Sequence, residues 1–324
     1  MGDVDVPWRA LAVVLLAAIA ISAGLIMALR PLLVRYALAR PNARSSHVQP
    51  TPQGGGIAVV VAALASLWLG AALAGLAGES QLAGLTLAAA ILALIGVVDD
   101  IRGLGPVSRL LVQAVAVGVV IATLPSDFRI VPLLPRALEW VLLLVGGVWF
   151  VNLVNFMDGI DWITVAETVP ITAGVGLLGL LGATIGFAPF NRPVARLFLG
   201  DVGSLPIGLM LGWILMMLAS RGHLAAALLL PLYYLADATI TLARRLARRE
   251  AVWQAHRTHF YQRATDGGFA VKEIVVRIFV LNIALATLAL VSAIEPDLRV
   301  DLATLALGGA LVAWLLGTFA RGKR

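Results

Sequence analysis

The stretch NFMDGIDW, residues 155–162, places two carboxylates, Asp158 and Asp161, beside Asn155 where a long apolar run ends. Residues three positions apart lie on one face of a helix, so the two carboxylates would repel each other and would be costly to bury. Water, a cation or a bound partner must offset that cost. The stretch is therefore a candidate binding site.

Three further carboxylates stand where apolar runs begin or end. Asp99 and Asp100 close the third run, where a negative charge opposes the helix dipole. Neighbouring residues on a helix point about 100° apart, so we expect these two to divide their roles. Asp201 in FLGDVGS precedes a later run, and its structural alternative is an ordinary helix cap. Such carboxylates are suited to hold Mg²⁺ against phosphate oxygens.

Basic side chains complement these acids in HRTHFYQR, residues 256–263, which contains His256, Arg257, His259 and Arg263. Two histidines at this spacing can form half of a zinc site. Because the chain has no cysteine and arginines stand alongside, binding of a diphosphate is the better fit. The structural alternative is an inert basic loop. His47, ahead of the glycine-rich turn PTPQGGG, is a further candidate, since glycines allow close backbone approach.

The elements that must position these side chains are membrane spans. Of the 324 residues, 60% are hydrophobic and only 13% are charged, and the mean hydropathy is +0.96. A soluble domain carries about 25% charged residues, so the composition predicts an all-α, polytopic integral membrane protein. Apolar runs lie near residues 8–29, 56–77, 82–98, 108–125, 137–152, 162–184, 202–219, 224–242, 271–293 and 300–320. The absence of cysteine excludes disulfides and thiolate metal sites.

The basic residues predict the orientation. With the N-terminus outside, nineteen of the 24 Lys and Arg residues fall on the inner side, as the positive-inside rule favours. The stretch 162–197 must then cross twice within 36 residues, so eleven crossings fit the charges whereas hydropathy gives ten. Pro170 is the expected break. The N-terminus MGDVDVPW has no basic leader region or cleavage site, so the first run should remain a span.

The polar clusters all fall on the inner side of a single membrane-embedded domain, 1–324. They occupy the segments 30–55, 99–108, 152–162, 190–204 and 243–271. A transporter more often places ionisable groups near the membrane midplane, so this convergence indicates an active site open to the cytosol. Asp237 lies within a span and is either a partner of an arginine or part of a lipid-phosphate site. We interpret the basic run Arg244–Arg249 as a membrane-surface anchor.

Five motifs carry a resemblance to a known family: SSHVQPTPQGGG, GVVDDIRGLGPVSRLLVQ, NLVNFMDGIDW, FNRPVARLFLGDVGS and HRTHFYQR. In this order and orientation they resemble the polyprenyl-phosphate N-acetylhexosamine-1-phosphate transferases (glycosyltransferase family 4), in the branch that initiates O-antigen and enterobacterial common antigen type polysaccharides. The resemblance covers nearly the whole chain. It implies transfer of a sugar 1-phosphate from a UDP-N-acetylhexosamine to undecaprenyl phosphate, with release of UMP.

The resemblance also implies a cofactor, a location and partners. The cofactor would be Mg²⁺, with Mn²⁺ as the alternative. The protein would lie in the bacterial inner (cytoplasmic) membrane, with the lipid bilayer as a partner, a periplasmic N-terminus and a cytoplasmic C-terminus. No nucleic-acid partner is expected, and a homodimer is left open.

Residue roles follow from the same resemblance. Asp99 or Asp100 would be the catalytic base or metal-side group, and Asp201 with Asp99 would hold the metal. Phe198 would stack on the uracil, with an ordinary core phenylalanine as the alternative. The substrates would be bound by His47, Asn152, Asn155, Asp158, Asp161, Phe198, His256, Arg257, His259 and Arg263. Trp162 departs from the pattern, because this position usually holds glycine, and it leaves the local pocket shape open.

Three alternatives remain at this point. A secondary transporter of an anionic solute could use the basic loops as an entry funnel. A peptidoglycan-type phospho-sugar-pentapeptide transferase shares the chemistry but carries a different histidine-rich pattern. A CDP-alcohol transferase is expected to show a DG-x2-AR-x8-G-x3-D-x3-D pattern, which this sequence lacks. Among sugars, UDP-GlcNAc is the default, and GalNAc, FucNAc and QuiNAc stay open.

Overall fold

The computed structural model describes residues 7–39, 50–76, 78–251, 256–295 and 297–323, and it is built almost entirely of helices. In chain order they are α1 Trp8–Tyr36, α2 Gly56–Leu73, α3 Ser80–Arg102, α4 Pro106–Ala122, α5 Arg136–Met157, α6 Ile163–Gly174, α7 Leu178–Asn191, α8 Asp201–Ser220, α9 Leu224–Leu229, α10 Leu232–Ala247, α11 Phe260–Asp266, α12 Val271–Ile294 and α13 Leu298–Arg321. Two short antiparallel strands, β1 Leu38–Ala39 and β2 Thr51–Pro52, precede α2. The expected all-α class is confirmed.

The apolar helices have the dimensions of membrane spans. Seven of them, α1, α2, α3, α5, α8, α12 and α13, are long and apolar enough to cross a bilayer, and α4 and α7 are shorter apolar helices. Leu92 and Leu153 are fully buried between helices, whereas Leu94 and Leu111 are exposed on the outer surface. Lipid tails are as apolar as leucine, so such an outer surface is stable in a membrane. The chain is a multi-pass membrane protein.

Helices α1 to α8 run in alternating directions between the two ends of the bundle. At one end, the last turn of α3 packs against the first turn of α8. Gly96 permits this contact, because a Cβ there would lie 2.5 Å from the backbone nitrogen of Val202. At the opposite end, Leu73, Gly179 and Ser220 belong to the wall of a cavity of about 750 Å³. The carboxylate-bearing helix ends are thus all brought to the same end.

The predicted span 162–184 is wrong as a single helix. Helix α6 ends at Gly174 and α7 begins at Leu178, with a turn at Gly176, whose φ of +71° is a conformation that favours glycine. Pro170 lies inside α6 and does not end it. The indole Nε1 of Trp162 donates to the carbonyl of Ala188, so the start of α6 meets the end of α7. The chain therefore goes out and returns, as the eleven-crossing path requires.

A second predicted span, 224–242, is also divided. Helix α9 ends at Leu229, and α10 begins at Leu232 after Pro231. Proline has no backbone N–H and cannot continue the hydrogen-bond ladder of the preceding turn. The N-terminus of α10 consequently lies within the predicted span, where helix N–H groups need partners from elsewhere.

Candidate active site

Asp99 and Asp201 face each other across the contact between α3 and α8. Their carboxyl groups lie within hydrogen-bonding reach of each other, although 102 positions separate them in the chain. Arg109, from the first turn of α4, places Nη1 at 2.7 Å from Asp99 Oδ2 and 3.8 Å from Asp201 Oδ2. The Asp99 side chain is only 7% exposed. Two carboxylates so close together require positive charge, and Arg109 supplies part of it.

Asp100 has separate partners, as the helical spacing of the pair predicts. Its Oδ1 accepts from the backbone N–H of Asp201 at 3.0 Å and its Oδ2 from that of Val202 at 3.3 Å. The side-chain amide of Gln53 donates to the same carboxylate at 2.5 Å. Asp100 therefore caps the N-terminus of α8 from another helix, which satisfies otherwise unpaired N–H groups and fixes the direction of Asp201.

Asn155 joins the last turn of α5 to the same group. Its Nδ2 donates to Asp201 Oδ1 at 2.7 Å and to Ser204 Oγ at 2.9 Å. The side-chain oxygen of Asn155 points away from Asp201 and Ser204, because the oxygen and the nitrogen of an amide point in different directions. Asp201 is thus held by Asn155 on one oxygen and faces Arg109 with the other.

A cavity of about 190 Å³ opens beside these groups. Its wall is built by Gln53, Asn155, Asp158, Gly159, Ile160, Asp161, Asn191, Phe198, Leu199, Gly200 and Asp201. Phe198 is half-buried in this wall, and its backbone joins the segment before α2 through a bond from Phe198 N to Pro52 O. Four of the predicted substrate-binding residues, Asn155, Asp158, Asp161 and Phe198, therefore lie around one cavity together with Asp201.

Asp158 is the half-buried end of α5. Thr164, in the first turn of α6, donates its hydroxyl to Asp158 Oδ1 at 2.5 Å. The pKa of Asp158 is raised to about 7, mainly by burial and also by the nearby charges of Asp100 and Asp161, although the bond from Thr164 lowers it. Asp158 can therefore lose its proton near neutral pH, and a positive group bound beside it would favour the charged form.

Asp161 has a structural partner in addition to its place in the cavity wall. Its Oδ2 accepts from the backbone N–H of Ala195 at 2.9 Å and holds the segment between α7 and α8. Trp162, with a left-handed φ of 64°, donates its backbone N–H to Asn191 Oδ1 at 2.8 Å, and Asn191 donates to Leu197 O. The residue at this unusual position therefore fixes the far wall of the cavity.

Asn152 is a predicted substrate-binding residue that does not line this cavity. Asn152 is buried one turn earlier in α5, where its Nδ2 donates to Gln113 Oε1 at 2.6 Å and to Val148 O. Its role is to join α5 to α4, and the prediction that it contacts substrate is not supported by its position. His47 lies outside the described residues.

The histidine loop, residues 256–259, is organised by Asp237 rather than by an arginine. The buried Asp237 carboxylate lies 3.3 Å from His259 Nδ1 and accepts the backbone N–H groups of Phe260 and Tyr261 at the start of α11. The ring of His256 stacks on His259 with centroids 4.9 Å apart. Asp237 is therefore a structural anchor of the loop, and its partners are a histidine, hydroxyl groups and backbone N–H groups rather than an arginine.

The arginines near this loop divide into two groups. Arg257 pairs with Asp266 at 3.2 Å and bonds to Thr265. Arg263 lies in the wall of a second cavity, of about 240 Å³. Its other basic wall residues are Arg244, Arg245 and Arg248. The run interpreted as a membrane anchor therefore contributes three arginines to a partly open cavity, in whose wall Glu250 pairs with Arg245 at 2.9 Å and lowers the net positive charge.

The carboxylates of this centre can meet the ligand requirements of a magnesium ion. No group of three or more His, Asp or Glu side chains among the described residues is arranged to hold a metal by itself. Mg²⁺ commonly uses only one or two carboxylates and completes its shell with water and substrate phosphates, which Asp99 and Asp201 can satisfy. Within the described part of the chain, the wall of the cavity of about 190 Å³ contains three carboxylates, Asp158, Asp161 and Asp201, and no basic side chain. An anionic diphosphate could enter only with a cation, so the residues fit Mg²⁺.

Sequence reasoning missed three polar residues of this centre: Gln53, Arg109 and Thr164. Gln53 lies in the polar segment 30–55, and Arg109 lies in the motif GVVDDIRGLGPVSRLLVQ, one position beyond the segment 99–108, so these positions were the available signal. The Nε of Arg109 is buried and has no hydrogen-bond partner among the described residues. An unpaired guanidinium N–H beside a carboxylate pair is suited to a phosphate oxygen.

The chain is similar to known proteins. Residues 82–219 match the model of the family described as glycosyl transferase family 4, and this range covers most of α3 and α8, all of α5 and the cavity-wall residues from Asn155 to Asp201. The chain is similar to a probable undecaprenyl-phosphate N-acetylglucosaminyl 1-phosphate transferase of Bacillus subtilis, with 24% identity over 79% of this chain and 77% of that protein.

Two further relatives widen the comparison. A decaprenyl-phosphate N-acetylglucosaminephosphotransferase of Mycolicibacterium smegmatis is 31% identical over 64% of this chain and 60% of its own length. A phospho-N-acetylmuramoyl-pentapeptide-transferase of Bartonella quintana is 26% identical over 51% of this chain and 44% of its own length. All three names describe a transferase of a phosphorylated N-acetylated amino sugar, and two of them name a polyprenyl phosphate.

Proposed function

Because the chain belongs to glycosyl transferase family 4 and is a sugar-1-phosphate transferase, we propose that it transfers N-acetylhexosamine 1-phosphate from a UDP-sugar to undecaprenyl phosphate. The products are UMP and an undecaprenyl-diphosphate-N-acetylhexosamine, which begins a cell-surface polysaccharide such as an O-antigen. The observation that carries the proposal is the convergence of Asp99, Arg109, Asn155 and Asp201, from four helices, beside one cavity.

The reaction joins two anions, so charge neutralisation and positioning dominate. An oxygen of the acceptor phosphate forms a bond to the sugar-bearing phosphorus of the donor. The bond from that phosphorus to the bridging oxygen breaks, and UMP leaves with that oxygen. A phosphate monoester has a second pKa of about 6, so the acceptor is largely dianionic near neutral pH and needs little deprotonation. The base demanded of the protein is correspondingly weak.

The residues divide this work by position. Asp99 and Asp201 would hold Mg²⁺, or Mn²⁺ in its place, which supplies positive charge to the diphosphate oxygens when bound. Arg109 offers its unpaired Nε–H to a phosphate oxygen. Asp100 keeps the first turn of α8 in place and so aims Asp201. We therefore assign Asp100 to positioning and Asp99 to the metal side.

The nucleotide would occupy the cavity of about 190 Å³. Phe198 in its wall presents an aromatic ring for stacking on uracil, and Asn155 and Asp158 present hydrogen-bonding groups. His256, His259, Arg257 and Arg263 lie on the adjacent loop and helix α11, where they would receive phosphate oxygens. The arginine-lined cavity is suited to the lipid phosphate, because its wall contains four arginines and only one acid, Glu250, which pairs with Arg245.

The location follows from charge. The end of the bundle that bears the site also carries the long basic connections, including Arg102, Arg196 and Arg248. The positive-inside rule supports a site on the cytoplasmic side of a bacterial inner membrane, with the N-terminus on the periplasmic side. UDP-sugars are cytoplasmic reagents in this arrangement, and the lipid acceptor reaches the site from the inner leaflet.

The test is UMP release by purified protein supplied with UDP-GlcNAc, Mg²⁺ and undecaprenyl phosphate. We expect release only when the lipid and the cation are both present, and we expect the Asp201→Asn variant to be inactive. Asp127→Asn is the matched control, because Asp127 is exposed at the opposite end of the bundle. Solute uptake into vesicles without UMP release would overturn the proposal in favour of a transporter.

A panel of donors identifies the sugar. UDP-GalNAc, UDP-FucNAc, UDP-QuiNAc and UDP-N-acetylmuramoyl-pentapeptide would be compared with UDP-GlcNAc by kcat/KM. We expect a simple N-acetylhexosamine to be preferred, because the cavity is small and is closed on one side by the Trp162–Asn191 contact. Preference for the pentapeptide donor would assign the chain to peptidoglycan synthesis.

A further inference from the structure

Glu167 is an acid that the proposed reaction does not use. It lies in α6, within the helix bundle, and is 1% exposed. Asn282 of α12 donates its Nδ2 to Glu167 Oε2 at 2.7 Å and to Ala166 O at 3.0 Å. Glu167 Oε1 is buried and has no hydrogen-bond partner among the described residues. A buried acid inside a membrane protein is costly, so its presence requires a physical reason.

The carboxyl of Glu167 lies against the break between α9 and α10. Its second neighbour is the backbone N–H of Tyr234, in the first turn of α10 after Pro231. The first N–H groups of a helix have no intrahelical partner, and a carboxylate beside them is stabilised by the helix dipole. Glu167 therefore places a carboxyl from α6 beside the unpaired N–H groups at the start of the broken helix α10.

Helix α10 connects the contact at Glu167 to the histidine loop. Asp237 stands one turn after Tyr234 and holds His259, together with the backbone N–H groups that begin α11. Tyr261, in α11, donates its hydroxyl to the carbonyl of Phe156 at 3.2 Å. The position of α10 thus determines where the histidines lie relative to the end of α5.

Helix α6 connects Glu167 to the cavity of about 190 Å³, through Thr164 and Asp158. Thr164 stands three residues before Glu167, on the same side of the helix, and donates to Asp158 at 2.5 Å. The buried hydroxyl of Tyr234 faces Thr164 but has no hydrogen-bond partner among the described residues. One buried pair, Glu167 with Asn282, therefore stands between the carboxylate side of the site and the histidine side.

We infer that Glu167 is a positioning residue, which fixes α6 to the broken helix α10 and thereby sets the distance from Asp158 to His259. Asn282 holds the carboxyl in the required orientation. The consequence for catalysis rests on the proposed function, whereas the consequence for the position of His259 does not. The two can therefore be tested separately.

The test compares Glu167→Leu, Glu167→Gln and the double variant Glu167→Leu/Asn282→Leu. Gln retains an acceptor for the Tyr234 N–H and offers a donor to Asn282 Oδ1, which is buried without a partner among the described residues. We expect Glu167→Gln to stay within about threefold of wild type in kcat/KM, and Glu167→Leu to lose about tenfold or more. Glu295→Leu, at an exposed position, is the control.

The double variant separates positioning from simple stability. Replacing both members of a buried polar pair by apolar residues restores stability in many proteins. We expect it to recover the Tm of wild type without recovering kcat/KM. If its kcat/KM returned to the wild-type value, Glu167 would be merely structural and the inference would be wrong.

A second measurement does not depend on the reaction. His259 is 2% exposed, so diethyl pyrocarbonate should modify it slowly, as read by mass spectrometry. We expect faster modification in Glu167→Leu and in the double variant, and an unchanged rate in Glu167→Gln and Glu295→Leu. Unchanged protection of His259 in the two Leu-containing variants would overturn the inference. A wild-type protein that released no UMP would refute the proposed function and leave this comparison standing.

Discussion

Replacing Asp158 by Asn should stabilise the protein while it impairs the reaction. Burial raises the pKa of Asp158 to about 7, above its usual value of 3.8. The folded state therefore keeps a proton that the unfolded chain releases between these two values. Stability falls as the pH rises through this window, and the full penalty is present above about pH 7.

The size of the penalty follows from the shift in pKa. One pKa unit corresponds to about 1.4 kcal/mol, so a shift of about three units sets an upper limit of about 4 kcal/mol. Asp158 is only half-buried, and solvent contact reduces that limit to about 2 kcal/mol. Asn has the same shape and keeps an acceptor for Thr164, so Asp158→Asn should raise the Tm at pH 8 by about 2 to 4 °C.

The assay measures the Tm of wild type and Asp158→Asn in one detergent, without divalent cations, from pH 4 to pH 8. We expect the Tm difference to be near zero at pH 4, to grow as the pH rises and to level off above pH 7. UMP release under the conditions of turnover should fall. A loss mainly in kcat would assign Asp158 to the transition state, and a rise mainly in KM to nucleotide binding. A variant that is less stable at every pH, yet fully active per folded molecule, would refute this reasoning.

Three further outcomes are expected. Asp201→Asn should abolish UMP release at all Mg²⁺ concentrations with little change in Tm, and near-normal activity at low Mg²⁺ would contradict its assignment as a ligand. Asp161→Ala should lower stability by about 1 to 3 kcal/mol, measured by thermal unfolding, because the buried N–H of Ala195 loses its acceptor, and an unchanged Tm would contradict that role. Val194→Cys, in a chain without cysteine, should react with an impermeant maleimide only from the cytoplasmic side, because Val194 is 77% exposed beside the site. Labelling from the periplasm would overturn the orientation, and Ala183→Cys, at a fully buried position of α7, serves as the unreactive control.

The sequence predicted the class of the protein and the end of the bundle at which its chemistry lies. These properties depend on local composition, because a run of apolar residues can be stable only in lipid or in a core. The bounds of α3, α8, α12 and α13 lie within about four residues of the predicted runs, since polar residues mark both of their ends. The charges predicted two crossings in 162–197, but the expected break at Pro170 was wrong, because the turn lies at Gly176. The break at Pro231 was missed, because it lies within continuous apolar sequence.

The partners of the polar side chains were decided only by the tertiary structure. Composition placed Asp99, Asp100 and Asp201 at one face, but the helix rotations decided that Asp99 meets Arg109 and that Asp100 caps α8. The same rotations turned Asn152 toward Gln113, although it stands only three residues before Asn155 in the cavity wall. A pattern along the chain reports which residues can reach an end of the bundle. The contacts between these residues depend on how helices that are distant in sequence pack together. Side chains and glycines at the helix contacts determine the rotation of each helix about its axis.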